Sequence, residues 1–251
     1  MKKWIALMLA AAMLAALTAC GSAAQSAPAA SDAAPSSASS DAAAPAEPAS
    51  SEATEPEEDV DAGEIMGQVD GYTYDNHYFG VSATFAEPWY VLNGEEAAAL
   101  NDAAMEQLSE EEAYQQLVET VQNGGQAFDM SALLLNDSEY TDNVNALVQD
   151  IGVSFEILGA AAEEMMLEET KSFYNDPDSA IQMGFTNATV SDSECTLSGV
   201  THPALLLRYE QEDGSAAYIY QTVIVKGHYI WVLTVTTFGE DRSQEVLAHF
   251  E

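Results

Sequence analysis

The sequence predicts an α/β domain of the α+β kind, with a central antiparallel β-sheet sandwiched between helices. Three observations carry that expectation. The C-terminal third divides into apolar runs joined by turn pairs, Ser198-Gly199, Asp213-Gly214 and Lys226-Gly227; Asp-Gly in particular tolerates the positive φ that a two-residue hairpin needs. Two of those runs are apolar on both parities. Tyr218, Tyr220, Thr222 and Ile224 alternate with Ile219, Gln221, Val223 and Val225, and Ile230 and Val232 alternate with Trp231, Leu233 and Val235. A strand with one wet face would alternate cleanly, so these strands should be covered on both faces. Long stretches of helical period elsewhere can supply the covers.

The elements follow in order. Tyr78, Phe79, Val81, Ala83 and Phe85 read as a strand punctuated by Gly71 and Gly80. Pro88-Trp89 closes it, because proline cannot donate to a ladder. Asn93 with Glu96 caps a helix over 95–107. Ser109 with Glu112 caps another over 110–122, which Gly124-Gly125 stops. Residues 128–135 read as a second strand, broken by Asn136-Asp137-Ser138, and 144–151 as a third, with a helix as the alternative. The strongest helical pattern covers 156–175. Leu158, Ala161, Ala162, Met165 and Phe173 can share its stripe, with Glu163, Glu164, Glu168 and Glu169 mostly outside, and Pro177 ends it. Strands are then expected over 189–197, 205–209, 216–225 and 228–237. A last helix over 240–250 packs Val246, Leu247 and Phe250.

The N-terminus is built differently. Lys2 and Lys3 precede an apolar run from Trp4 to Leu17, the layout of a secretory leader. The run is shorter than the roughly 20 residues that span a bilayer as a helix. It ends in Leu17-Thr18-Ala19-Cys20, which resembles the lipobox of bacterial lipoproteins. That resemblance implies removal of a signal peptide over 1–19 and a diacylglyceryl group on the Cys20 sulfur. Two acyl chains give stable attachment where one is marginal. The expected location is therefore the extracytoplasmic face of a cell membrane, a Gram-positive-type cell surface or the periplasmic side of a Gram-negative envelope. Residues 20–66 are Ala, Ser, Pro, Asp and Glu with almost no bulky apolar side chain, so they read as a disordered linker. A flexible chain of that length spans roughly 35–40 Å. The folded domain is expected over 67–251.

Charge narrows the partners. The chain has 42 acids against 6 bases, a formal net charge of -36. Loss of the leader leaves only Lys171, Arg208, Lys226 and Arg242 as bases. Such a surface repels nucleic-acid phosphates and anionic headgroups, which excludes nucleic acid as a partner. Of the two cysteines, the resemblance gives Cys20 the lipid; on that reading Cys195 has no intrachain partner and reads as a small buried hydrophobe.

A second resemblance spans most of residues 72–250. The opening Tyr74-Asp75-Asn76-His77-Tyr78-Phe79-Gly80-Val81, running to Pro88-Trp89, resembles the start of PsbP-like domains and of the related Mog-type Ran-regulator fold. The step Leu197-Ser198-Gly199-Val200-Thr201-His202-Pro203-Ala204 looks similar too, as does the hairpin through Tyr220, Lys226-Gly227-His228-Tyr229 and 234–237 with its terminal helix. The resemblance implies a non-enzymatic domain that binds other proteins or stabilises assemblies.

No residue pattern assembles a reaction site. His77, His202, His228 and His249 form no H-E-x-x-H, and there is no G-x-S-x-G, P-loop or G-x-G-x-x-G. Asp176 with Asp178, and Asp137 with Glu139 and Asp142, could bind calcium, but they lack the order of an EF loop and read as solvated loop acids. The sequence thus assigns no catalytic residue, no cofactor site and no metal ligand; Cys20 alone is assigned, as the lipidation site. The expected function is a membrane-tethered, non-enzymatic protein-interaction or accessory module. A solute- or divalent-metal-binding lipoprotein and a cell-envelope hydrolase are the alternatives.

Overall fold

A computed structural model describes residues 65–92, 96, 110–136, 141–152, 154–155, 158, 160–211 and 213–250. Cys20, the leader, almost all of the expected linker and, Glu96 aside, the helix expected over 95–107 lie outside these residues. Among the described residues the protein is sheet-dominated. Strands β1 (Gln68–Asp70), β2 (Thr73–Asn76) and β3 (Val81–Thr84) form a small antiparallel sheet in the order β1-β2-β3. The main sheet holds β4 (Trp89–Val91), β5 (Gln126–Leu134), β6 (Asn143–Asp150), β7 (Thr186–Leu197), β8 (Val200–Glu210), β9 (Ala216–Lys226) and β10 (Tyr229–Phe238). Its order is β4-β5-β6-β10-β9-β8-β7, and every pairing is antiparallel. Among the described residues they are accompanied by helices α1 (Glu110–Gln122), α2 (Ala160–Asn175), α3 (Pro177–Gln182) and α4 (Ser243–Leu247).

The order follows from the connections. After β6 the chain crosses to the far edge through α2 and α3, then returns as the meander β7 to β10 until β10 pairs with β6. The crossover lays α2 and α3 on one face, here the back. Leu167 of α2 packs with Leu147, Leu205, Val223, Ile230 and Val232, and further along Tyr174, Ala180 and Phe185 pack with Leu207, Tyr209 and Ile219. The front face carries Met130, Val144, Val148, Trp231, Leu233 and Val235. It is covered by Ile65, Tyr74 and Val81 around the small sheet, Leu117 and Val121 of α1, and Val246, Leu247 and Phe250 at the C-terminus. Both faces of β9 and β10 are thus covered, but the front cover is in part a second sheet. That corrects the expectation of a sheet between two helical layers.

Local departures have local causes. The expected opening strand is two: Tyr78 and Phe79 sit in the turn between β2 and β3, where Gly80 takes φ +69. Residues 143–150 are a strand, not the helix alternative. Pro177 does not simply end α2; it opens α3, with Asp176 as N-cap accepting from Ser179 N at 3.0 Å. The last helix is only α4, and Phe250 beyond it bridges to Ala83 of β3. Ile65 and Met66, placed in the linker by sequence, are core residues, so the packed chain begins ahead of residue 67. The buried side of α2 is Ala162, Glu163, Leu167, Thr170 and Tyr174, while Met165 and Leu158 are exposed. The stripe is rotated because Glu163 is drawn inward by polar partners on the sheet.

Candidate interaction surface

A β-bulge sets the first polar feature. The register of β5 against β6 shifts between Phe128 and Met130, which sends Phe128 to the back core and Met130 to the front. The extra residue, Asp129, is re-aimed toward the small sheet, as bulges commonly do. There it is almost fully buried and accepts four hydrogen bonds: from Gly67 N (2.5 Å), Asn76 Nδ2 (2.9 Å), Trp231 Nε1 (3.1 Å) and the Tyr74 hydroxyl. Trp231 Nε1 also reaches the Tyr74 oxygen at 3.0 Å. A Cβ on Gly67 would collide with the Tyr74 ring, so the close approach of that N–H requires glycine. Burial raises the Asp129 carboxyl above the usual range although all four donors pull it down. The cluster is buried and ties the small sheet to the main one.

The second feature lies where β8 and β9 part. Their pairing runs only to Ala204 and Thr222. Beyond it, Pro203 offers no N–H, and its carbonyl accepts from Thr222 Oγ1 at 2.7 Å. Glu163 of α2 inserts at this split. Its carboxylate is 3.0 Å from His202 Nδ1 and 3.4 Å from the Val225 N–H. Cys195 sits directly opposite His202 across the β7–β8 ladder. A thiol, an imidazole and a carboxylate are therefore neighbours, a grouping the sequence does not reveal. Burial pushes the Cys195 thiol up to about 11; a hydrogen bond with Thr222 opposes this and the charge of Glu163 adds to it. Such a thiol stays protonated at neutral pH and is a poor nucleophile. The role expected of Cys195, a buried small hydrophobe, matches its placement.

The other residues singled out by sequence are dispersed. His77 is exposed beside Asp75, His228 bonds Asp150 at 2.8 Å, and His249 bonds the Thr84 carbonyl at 2.9 Å. Asp142 is not a solvated loop acid. It pairs with Arg242 Nη2 at 2.6 Å and accepts from Phe238 N at 3.1 Å. Burial nevertheless leaves its carboxyl above the usual range. Asp137 and Glu139 lie outside the described residues. Asp176 is spent as a helix cap and its carboxyl is lowered by the Ser179 hydroxyl and N–H. Among the described residues no group of three or more His, Cys, Asp or Glu is placed to hold a metal ion.

The feature open to a partner is a groove of about 570 Å³ between α2 and the β7–β8 edge. Leu167 and Leu205 form its apolar floor, and Glu164, Glu168, Asp192 and Glu194 give it four carboxylates. Lys171 bridges the two sides, with Nζ 2.6 and 2.7 Å from the Asp192 carboxylate and 3.4 Å from Glu168. Neither Glu163 nor this acidic groove stood out in sequence, because each acid looks like one more solvated charge among 42. Comparison with protein-family models gives no match, and comparison with curated proteins gives none either.

Proposed function

We propose that this chain is a lipid-anchored extracytoplasmic protein that works by binding a protein partner, through a folded domain of the PsbP/Mog-like type held off the membrane on its linker. The observation that carries the binding half is the open, acid-lined groove beside an unpaired strand edge. An open groove with four carboxylates at its walls suits contact with a charged macromolecular segment. The Leu17–Cys20 match carries the anchoring half. Among the described residues no helix is long and apolar enough to cross a membrane, so attachment on this reading rests on the lipid.

Two experiments test the two halves. Cys20→Ser should move the protein from the membrane fraction to the medium or periplasm; retention on membranes after a salt wash overturns the anchor. Crosslinking of the tethered protein in intact cells should give a discrete, saturable adduct with another protein. A hydrolytic activity lost on changing one Asp, Glu or His, with the melting temperature unchanged, overturns the binding reading.

A further inference from the structure

β7 ends the main sheet, and the direction of its backbone groups follows from its hairpin. Ser198 and Gly199 both take positive φ, 46 and 80, as a two-residue I′ turn requires. The flanking pair Leu197 and Val200 therefore exchanges both ladder bonds, and hydrogen-bonded pairs alternate from there. Odd-numbered residues of β7 up to Leu197 bond β8. Val190, Asp192, Glu194 and Thr196 aim their N–H and C=O groups away from the sheet. Pro203, opposite Glu194, agrees with this register, because no N–H is needed from it toward β7. Among the described residues no backbone group outside β8 pairs with this edge. The Glu194 carbonyl takes one side-chain bond, from the Tyr220 hydroxyl at 2.7 Å, which leaves it a second lone pair.

Natural sheets blunt such edges with charged side chains, lysine above all, with proline or with bulges; the charges β7 carries are Asp192 and Glu194, which repel an acidic strand and not a basic one. β7 contains neither lysine nor proline, and its bulge lies only at the start, between Thr186 and Thr189. Two of the outward-bonding residues, Asp192 and Glu194, also line the acidic groove against α2. A strand added to this edge would therefore place alternate side chains among Glu164, Glu168, Asp192 and Glu194. A second copy of this chain fits badly, since it would set the same acids against one another.

We propose that the β7 edge takes up an extended, lysine- or arginine-bearing segment of a protein partner by strand addition, with its basic side chains in the α2–β7 groove. Main-chain bonds to the even-numbered residues would give affinity, and the carboxylates would choose the sequence. This rests on the interaction reading above and specifies its site.

The test uses the full chain released by Cys20→Ser and a capped peptide of alternating lysine and threonine, about eight residues long. Binding is followed by fluorescence anisotropy, and hydrogen exchange is read at single amides. The peptide should slow exchange at Val190, Asp192, Glu194 and Thr196, and its affinity should fall as salt rises. Asp192→Asn removes the charge and keeps the N–H, whereas Asp192→Pro removes both without touching the β8 ladder. The proline variant should bind roughly fivefold more weakly than the asparagine variant, the worth of one backbone bond. If Asp192→Pro does not fold, Thr196→Pro removes another outward N–H at an exposed position. Equal binding of a glutamate–threonine peptide, equal affinity of the Pro and Asn variants, no slowing at the four amides, or self-association through β7 in sedimentation would each overturn the proposal. A cellular partner that crosslinks equally well to Asp192→Pro would overturn this site and leave the interaction reading standing. Failure to find any crosslinked partner would overturn that reading instead.

Discussion

Tyr74→Phe isolates the lock between the two sheets. The substitution deletes one hydroxyl and little volume, so it opens no cavity of consequence. It leaves Asp129 with three of its four donors, from Gly67, Asn76 and Trp231. Trp231 Nε1 loses the Tyr74 oxygen at 3.0 Å but keeps Asp129 at 3.1 Å, so no donor is orphaned. The loss is then one buried hydrogen bond to a carboxyl group, worth about 1.5–3 kcal/mol where that group is ionised. For a domain of this size each kcal/mol moves the melting temperature by about 2–4 °C, so a drop of roughly 3–12 °C is expected. Thermal denaturation followed by circular dichroism measures it. Linkage adds a sign. Asp129 has a folded pKa raised above its ordinary value by burial, so its contribution to stability is largest below the ordinary aspartate range and declines as pH rises through the raised value. The Tyr74 hydroxyl favours the ionised form, and removing it raises that value further. The deficit of the variant should therefore shrink as pH falls through the raised pKa. A melting point within about 1 °C of the parent at pH 7, or a deficit that grows on acidification, would refute the reasoning.

Two further outcomes are expected. With Cys20 replaced by serine, Cys195 should resist thiol alkylation in the folded state at pH 8, with a rate that rises toward about 11, and should react at once in denaturant; ready labelling of the folded protein at pH 8 would contradict its burial. Arg242→Ala leaves the buried Asp142 carboxylate with the Phe238 N–H as a donor. Because Arg242 is itself 37% exposed, the cost at pH 7 is discounted to roughly 1–3 kcal/mol. Asp142 already has a raised folded pKa, and losing the arginine raises it further, so urea denaturation should show the deficit narrowing as the solution is acidified.

The meander was legible because its turns carry Gly199, Gly214 and Gly227, each at positive φ, and because Trp231, Leu233 and Val235 are apolar on one parity while Ile230 and Val232 are apolar on the other. Of the small sheet only β3 was, within the expected opening strand. Gln68, Asp70, Thr73, Asp75 and Asn76 look like a loop, and Asn76 becomes a strand residue by bonding Asp129, 53 positions away. Nothing local in the sequence announces that pairing, nor the bulge that turns Asp129 toward it. The inward rotation of α2 was hidden for the same reason: Glu163 is one acid in a row of acids until His202 and Val225 are brought to it. Which strand lies at an edge depends on the order of pairing, so the open side of β7 emerges only from the return of β10 to β6.

That return has a consequence for how the chain comes to be made. β10 follows the other described strands along the chain, yet it lies between β6 and β9 and joins the two halves of the main sheet. Until residue 238 is available, β6 and β9 have no shared neighbour, and Trp231, Leu233 and Val235 are missing from the front core. Non-local pairings of this kind form slowly because loop closure must precede the contacts that reward it. A nascent chain therefore cannot close the sheet early. On the proposed lipid-anchor reading, in which the chain crosses a membrane as an open thread, a keystone made after the other described strands would keep the domain pliable in the channel and delay closure of the sheet until residue 238 has passed.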